Sequence, residues 1–205
     1  MGIIEILGVA GSLSLLAGWR LYLTILATGT AMHFGWLPLP EHLAALKVLA
    51  EPWVLGAAAV GTIAEFFADK VAWVDSVWDA IHSFVRPMGG ALLALALVDA
   101  SDPIWQVIAF LLGGGGALLS HGAKATTRAV VNVSPEPFSN VAVSAGEDVA
   151  TGGLLTLAIA FPALAIGIAI VLALAAVAVL WVLGRLLRNI KRALTPDQRS
   201  SSETG

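Results

Sequence analysis

Residues 162–184, PALAIGIAIVLALAAVAVLWVLG, contain no charged side chain. At about 1.5 Å per residue, a helix of this length covers the roughly 30 Å hydrocarbon core of a bilayer. The segment RLLRNIKR, residues 185–192, follows directly and carries four basic side chains, which are enriched on the cytoplasmic side of membrane helices. We therefore expect a membrane-spanning helix followed by a basic cytoplasmic tail, residues 185–205, that is partly disordered.

The composition of the whole chain is typical of a membrane protein. Its 205 residues are 58% hydrophobic and 12% charged, with a mean hydropathy of +0.88, whereas soluble domains are about a quarter charged. Eleven basic and fourteen acidic residues are too balanced and too sparse for a nucleic-acid surface, so no nucleic-acid partner is expected. The absence of cysteine excludes disulfides, thiolate metal sites and cysteine nucleophiles. We expect an all-α, polytopic helical membrane protein whose partner is the lipid bilayer. Formation of a homo-oligomer stays an open alternative.

The apolar runs upstream of this span are repeatedly interrupted. Residues 3–34 are broken at Gly18-Trp19-Arg20, and could form one kinked span or two half-helices that meet at an arginine. The segment LPLPEHLAALKVLAEP, residues 37–52, has leucines at helical spacing and predicts an interfacial helix. The segment VVNVSPEPFSN, residues 130–140, predicts irregular backbone, either an external loop or a re-entrant segment. About six embedded segments result, several of them broken or re-entrant.

Two parts of the chain resemble each other weakly. GSLSLLAGWRLYLT, residues 11–24, is similar to GGALLSHGAKATTR, residues 115–128, and an EPW or EPF motif with a later glutamate follows each. Internal repeats with glycine-broken helices are typical of transporters. We interpret residues 1–184 as one transmembrane domain. That it contains an internal, inverted repeat is a hypothesis, with repeat units of about 3–100 and 103–184.

The most highly charged part of the apolar region is FFADKVAWVDSVWDAIHSFVRP, residues 66–87. In a helix, Asp75, Asp79, His82 and Arg86 would lie within an arc of roughly 60°. This polar stripe could face water on a helix at the bilayer surface, or it could line a polar cavity inside a helix bundle. We favour the cavity because other ionisable residues also lie in or beside apolar segments. These are Arg20, Glu65, Asp69, His121, Lys124, Arg128, Glu147 and Asp148.

Two kinds of chemistry could use Asp75, Asp79 and His82. Asp75, Asp79 and His82 are weak candidates for binding a divalent metal through oxygen and imidazole ligands, although no HExxH-type spacing is present. The carboxylates could instead handle protons or cations. His82 could relay protons beside Asp79, or it could be a surface histidine.

The basic residues predict a different kind of site. Arg20, Lys124 and Arg128 could hold an anion where helices are broken, because glycine-rich backbone and helix N-termini favour negative charge. The segment SHGAK, residues 120–124, would combine such a break with a base and with hydroxyl or imidazole donors.

Several longer motifs resemble a known family. EFFADKVAWVDSVWDAIHSFVRPMGGALLA, GWRLYLT, SHGAKATTRAVVNVSPEPFSN and GEDVATGG are similar to the prokaryotic membrane family labelled domain of unknown function 4126, over roughly residues 10–185. The family has no established activity. The resemblance implies a polytopic helical fold in the bacterial inner membrane and says nothing about a substrate.

Together these observations favour a small transporter or channel-like protein for a small polar or anionic solute or a lipid headgroup, with a proton as a candidate coupled ion. Asp75, Asp79 and His82 would handle the proton or cation, and Glu65 and Asp69 would support them. The bases would contact the anionic group. The alternatives are a membrane-embedded, metal-assisted enzyme acting on a lipid or isoprenoid phosphate, and a non-catalytic assembly partner.

Overall fold

The structure is a computed structural model that describes residues 3–36, 47–97, 103–132 and 137–194. Within these ranges the chain forms seven α-helices and no strand, which confirms the expected all-α fold. The helices are α1 (Ile3–Trp19), α2 (Leu21–His33), α3 (Pro52–Ala68), α4 (Ala72–Leu95), α5 (Pro103–Val131), α6 (Pro137–Ala160) and α7 (Pro162–Leu194).

Proline determines where four of the helices begin. Pro52, Pro103, Pro137 and Pro162 are the first residues of α3, α5, α6 and α7. Proline suits this position because its fixed φ is helical and the N–H that it lacks would have no partner in the helix. The helix expected from Pro162 onwards is therefore confirmed at its first residue.

The chain leaves the helical conformation at Arg20, between α1 and α2. Its φ of −139° and ψ of 80° lie outside the helical region. Helical hydrogen bonds continue on both sides, from the Arg20 N–H to the Leu16 carbonyl at 2.8 Å and from the Thr24 N–H to the Arg20 carbonyl at 3.0 Å. Arg20 is therefore the point where two helices meet.

The break expected at SHGAK is wrong, because α5 is continuous from Pro103 to Val131. Gly113, the first of its run of four glycines, serves close packing instead. A Cβ placed on Gly113 would lie 2.6 Å from the Gly90 carbonyl oxygen of α4, and one placed on Gly90 would lie 2.9 Å from the Gly113 carbonyl oxygen. Small residues at such crossings let two backbones approach closely.

Helix α1 lies at the centre of the bundle and contacts α4, α5, α6 and α7. Its apolar residues point in all directions, and Val9, Leu13 and Leu16 are fully buried, as expected for a helix surrounded by others. At Gly8 an added Cβ would lie 2.7 Å from the Ile166 nitrogen of α7. Helices α1 and α7 run in the same direction, since Gly8 is close to Ile166 and Gly11 to Ala169.

The outer surface of the described residues is strongly apolar. Trp53, Phe84 and Phe138 are 90%, 81% and 79% exposed, and α7 exposes leucine, valine and tryptophan along most of its length. Two helical segments, Pro103–Val131 and Pro162–Asn189, are long and apolar enough to cross a membrane. Helix α7 continues through RLLRNIKR to Leu194, so the basic segment extends the helix rather than beginning a separate tail.

Some expectations fall outside the described residues. Most of the expected interfacial helix, residues 37–46 with His42, is one of them. The others are the centre of VVNVSPEPFSN, residues 133–136, and the tail from residue 195 onwards. The two-unit repeat stays a prediction. Its two halves differ locally, because the chain leaves the helix at Arg20 but stays helical at Lys124.

Candidate functional site

The polar stripe of α4 faces the interior of the bundle. Asp75 and Arg86 are fully buried, and Asp79 and His82 are only 6% and 3% exposed. The same helix exposes Trp73, Val77, Ile81 and Phe84 on its other side. The stripe therefore lines the protein interior, and the alternative of a helix with its charges in water is wrong.

The ionisable side chains form two groups, and the first surrounds Asp69 at the end of α3. The Arg20 guanidinium and the Lys124 ammonium both bind Asp69 Oδ2, the latter at 3.0 Å. The Asp69 backbone carbonyl accepts hydrogen bonds from Arg128 and, at 3.2 Å, from the Asn140 amide. This single residue thus connects α3 with α5, α6 and the start of α2.

Acidic residues of α6 complete this Asp69 group on one side. Arg20 Nη2 lies 2.9 Å from Asp148 Oδ1 and 3.6 Å from Glu147 Oε2. Lys124 Nζ lies 3.9 Å from the same Glu147 oxygen and also donates to the Trp19 carbonyl at 3.3 Å. Glu147 and Asp148 therefore pair with the bases.

Asp75 completes the Asp69 group on the other side. Its Oδ2 accepts a hydrogen bond from Arg128 Nε at 3.1 Å and another from the Asn132 amide at 2.7 Å. Arg128 also donates to the Asn140 carbonyl at 3.1 Å. The donors of Arg128 thus connect α4, the α3–α4 link and α6.

The second group surrounds Arg86. Its Nη2 binds Glu65 of α3 at 2.6 Å, and its Nη1 binds Asp79 at 3.0 Å and His121 Nδ1 of α5 at 2.6 Å. A guanidinium can only donate, so His121 Nδ1 must accept. The His121 ring is therefore neutral, with its proton on Nε2, which lies 3.0 Å from Ser83 Oγ and 3.2 Å from the Asp79 carbonyl.

His82 belongs to neither group. Its Nδ1 lies 2.7 Å from the Trp78 carbonyl and its Nε2 lies 3.1 Å from the Tyr22 hydroxyl. His82 therefore contacts Tyr22 and not Asp79, and at 3% exposed it is not a surface histidine either. The imidazole beside Asp79 belongs to His121.

The predicted metal ligands are not assembled. Asp75 binds Arg128, Asp79 binds Arg86 and His82 binds Tyr22, so no two of them share a vacant position. Throughout the described ranges, no three His, Cys, Asp or Glu side chains are grouped as a metal ion would require.

Sequence reasoning missed a polar stripe on α6. Asn140, Ser144, Glu147 and Thr151 have the same i, i+4, i+7, i+11 spacing as the stripe of α4, and all four lie at or near the interior. Ser144 accepts a hydrogen bond from Arg20 through its carbonyl at 3.1 Å and from Lys70 through its hydroxyl at 3.2 Å. The spacing was the signal that could have found these residues.

Two cavities, each of about 220 Å³, adjoin the groups. The α4–α5 cavity is lined by Asp75, Asp79 and Arg128, together with serines and Asn132. The α2–α3–α6 cavity is lined by Arg20, Glu65 and Asp148, together with Leu23, Thr62 and Phe66. Each group therefore supplies side chains to both cavities.

The balance of charge differs between the two groups. The Asp69 group contains four bases and four acids: Arg20, Lys70, Lys124, Arg128, Asp69, Asp75, Glu147 and Asp148. The Arg86 group contains one base, two acids, Glu65 and Asp79, and a neutral imidazole. The Arg86 group therefore has one acid more than it has bases, and burial of an unpaired charge is costly.

Comparison with known proteins gives one family. The family model described as Domain of unknown function (DUF4126) matches residues 7–182, which confirms the resemblance that the motifs indicate. No curated protein and no solved structure matches the chain. Because the family match covers most of the 205 residues, this protein belongs to the DUF4126 family.

Proposed function

We propose that this protein is a small multi-pass membrane transporter that couples a proton to the movement of a small anion through its buried charged groups. The apolar exterior and the charged interior support a membrane setting. Contiguous exposed apolar surface of this kind is rare on soluble monomers, whereas charged side chains in membrane proteins face the bundle interior or a water-filled cavity.

The position of Arg86 between the two cavities carries this proposal. Its partner Asp79 lines the α4–α5 cavity, and its partner Glu65 lines the α2–α3–α6 cavity. A change in the pairing of one guanidinium would therefore affect both cavities. This is the arrangement that a carrier needs if a solute is to reach one cavity at a time.

The residues that line each cavity suit an anion accompanied by a proton. Each cavity contains one guanidinium, Arg128 or Arg20, and a guanidinium that exchanges its present acidic partner for a solute can bind a carboxylate or phosphate. Each also contains two carboxylates that would repel an anion. A proton bound to Asp79 or Glu65 would remove the extra negative charge of the Arg86 group and reduce that repulsion.

The test is transport in liposomes that contain the purified protein and an enclosed pH-sensitive dye. Inorganic phosphate, added outside, should acidify the interior faster than in protein-free liposomes. Asp79→Asn and Glu65→Gln should each slow this acidification about tenfold, which corresponds to roughly 1.4 kcal/mol in the barrier. Glu51→Gln changes an exposed acid at the start of α3 and should transport like the parent.

The proposal fails if the parent acidifies liposomes no faster than the protein-free control with phosphate. It also fails if Asp79→Asn, shown to be folded by its helical circular dichroism and monodisperse elution, transports at the parent rate.

A further inference from the structure

Helices α2 and α6 present matching faces to each other. On α2, Leu23, Leu26, Ala27 and Thr30 follow Arg20 at helical spacing, so that one face is charged at its start and mainly apolar beyond it. On α6, Leu155 and Ile159 follow Asp148 in the same way. The salt bridge from Arg20 to Asp148 aligns the two charged ends.

An apolar cavity of about 530 Å³ lies between these faces, a volume within the range of small-molecule sites. Leu26, Ala27 and Ala31 form its α2 side, and Leu155 and Ile159 form its α6 side. Leu23 lines both this cavity and the charged α2–α3–α6 cavity, so the two adjoin. Together they form a cleft with one polar and one apolar end.

The polar end contains buried atoms that have no hydrogen-bond partner within the described chain. They are two acceptors, Glu65 Oε2 and Asp148 Oδ2, and one donor, Arg20 Nε. Glu65 is only 1% exposed. Lys70 lies at the same end, with Nζ 3.9 Å from Asp148 Oδ2 and 3.4 Å from the centre of the Phe66 ring. A ligand that carries both a cation with N–H donors and an anion would satisfy these groups.

The cleft extends along most of α2. From Arg20 to Ala31 along α2 is about 16 Å at 1.5 Å per residue. The polar end lies beside the α3–α4 link. Asp69 and Lys70 belong to this link, between the end of α3 and the start of α4. A lipid could therefore place its head at this end and one acyl chain along α2 and α6.

We propose that the α2–α6 cleft binds one phospholipid with a zwitterionic head that ends in a primary amine, as in phosphatidylethanolamine. The ammonium donates to Glu65 and Asp148, and the phosphate accepts from Arg20 and Lys70. A choline head has no N–H to donate, and a purely anionic head brings no cation to the two carboxylates. This inference rests on the membrane setting of the proposed function and does not depend on transport.

The test measures which lipids stay bound to the purified protein, by native mass spectrometry. Delipidated protein is mixed with equal amounts of phosphatidylethanolamine, phosphatidylcholine and phosphatidylglycerol that have identical acyl chains. The ethanolamine lipid should be retained at least about tenfold more than the other two. Glu65→Gln should remove most of that preference, because an amide nitrogen replaces one carboxylate oxygen.

A second pair of variants tests the apolar end. Ala27→Phe fills the apolar cavity and should abolish retention, whereas Ala178→Phe makes the same change on the exposed face of α7 and should retain lipid like the parent. If Ala27→Phe does not fold, Thr156→Phe narrows the same cavity from the exposed side of α6.

Equal retention of the three lipids, a preference for phosphatidylglycerol, or undiminished binding in a folded cavity-filling variant would each overturn the inference. Phosphate-driven acidification of liposomes separates this result from the proposed function. Selective lipid retention without acidification by the parent would contradict transport alone. Acidification that depends on Asp79, without lipid selectivity, would contradict the lipid site alone.

Discussion

Arg86 is the residue on which the stability of the interior depends most directly. Its side chain separates Glu65 from Asp79 and donates to both, while a third donor reaches His121. Removal of one partner of a buried ion pair costs more than the pair contributes, because it leaves an uncompensated charge. Here it would leave two carboxylates together without a cation.

Arg86→Met should therefore lower the free energy of unfolding by about 3–5 kcal/mol. The measurement is reversible unfolding in detergent micelles, followed by circular dichroism. Addition of Glu65→Gln to Arg86→Met should restore part of the loss, because it removes one of the two carboxylate charges. A single variant as stable as the parent would show that Arg86 is not held as described.

The two buried histidines should carry their single protons on opposite ring nitrogens. His121 accepts from Arg86 at Nδ1 and is therefore protonated at Nε2, whereas His82 donates from Nδ1 to the Trp78 carbonyl and accepts from Tyr22 at Nε2. Nitrogen NMR of histidine-labelled protein at neutral pH distinguishes the two forms. The variants His82→Gln and His121→Gln assign each signal to its residue, and the two residues should show different tautomers. The same tautomer at both positions would contradict these contacts.

At the scale of single elements, the glycines of α5 differ in what surrounds them. A Cβ on Gly113 would lie 2.6 Å from the Gly90 carbonyl oxygen and against Ala94, while one on Gly115 would meet nothing within 4 Å. Both glycines belong to the same run within the helix. Sequence alone therefore cannot tell the packing glycine from its neighbour.

Gly113→Ala should destabilise the protein by about 1–3 kcal/mol, because overpacking forces α4 and α5 apart. Gly115→Ala should be neutral or stabilising by up to about 1 kcal/mol, since alanine is the better helix former. Both are measured by the same unfolding experiment in micelles. Equal effects of the two substitutions would contradict the close crossing of α4 and α5.

At the scale of the whole molecule, the helix directions predict which segments lie on the same side of the membrane. Helix α3 is 17 residues long, or about 25 Å, and leads from the α2–α3 link to the Asp69 group. Helix α1 also leads toward the Asp69 group, since Arg20 follows its end, and α7 runs parallel to α1. Lys47 and the basic end of α7 should therefore lie on opposite sides.

The chain has no cysteine, so single introduced cysteines can test this arrangement. A maleimide that does not cross membranes should label Lys47→Cys in intact cells. It should label Arg188→Cys only after the cells are opened. Both residues are exposed. From the basic residues around Arg188 we expect that end to lie in the cytoplasm. Labelling of both positions from outside would contradict the proposed multi-pass arrangement.

Local patterns were enough to predict much of this architecture. Composition indicated an all-α protein, proline positions predicted helix starts, and the spacing from Asp75 to Arg86 predicted one polar face. These features depend on neighbours within one or two helical turns, where helical periodicity relates sequence to space directly. The same rule applied to α6 would have added Asn140, Ser144 and Thr151 to the interior.

The sequence by itself determined that many charged residues lie within mainly apolar segments, and which of them lie on one face of α4. Only the tertiary structure decided that Arg86 binds Glu65 and His121, that His82 contacts Tyr22, and that Gly113 of α5 packs against α4 within an unbroken helix. The physical reason is that these contacts join residues 21 to 60 positions apart, so they depend on how whole helices cross. Local spacing does not contain that information.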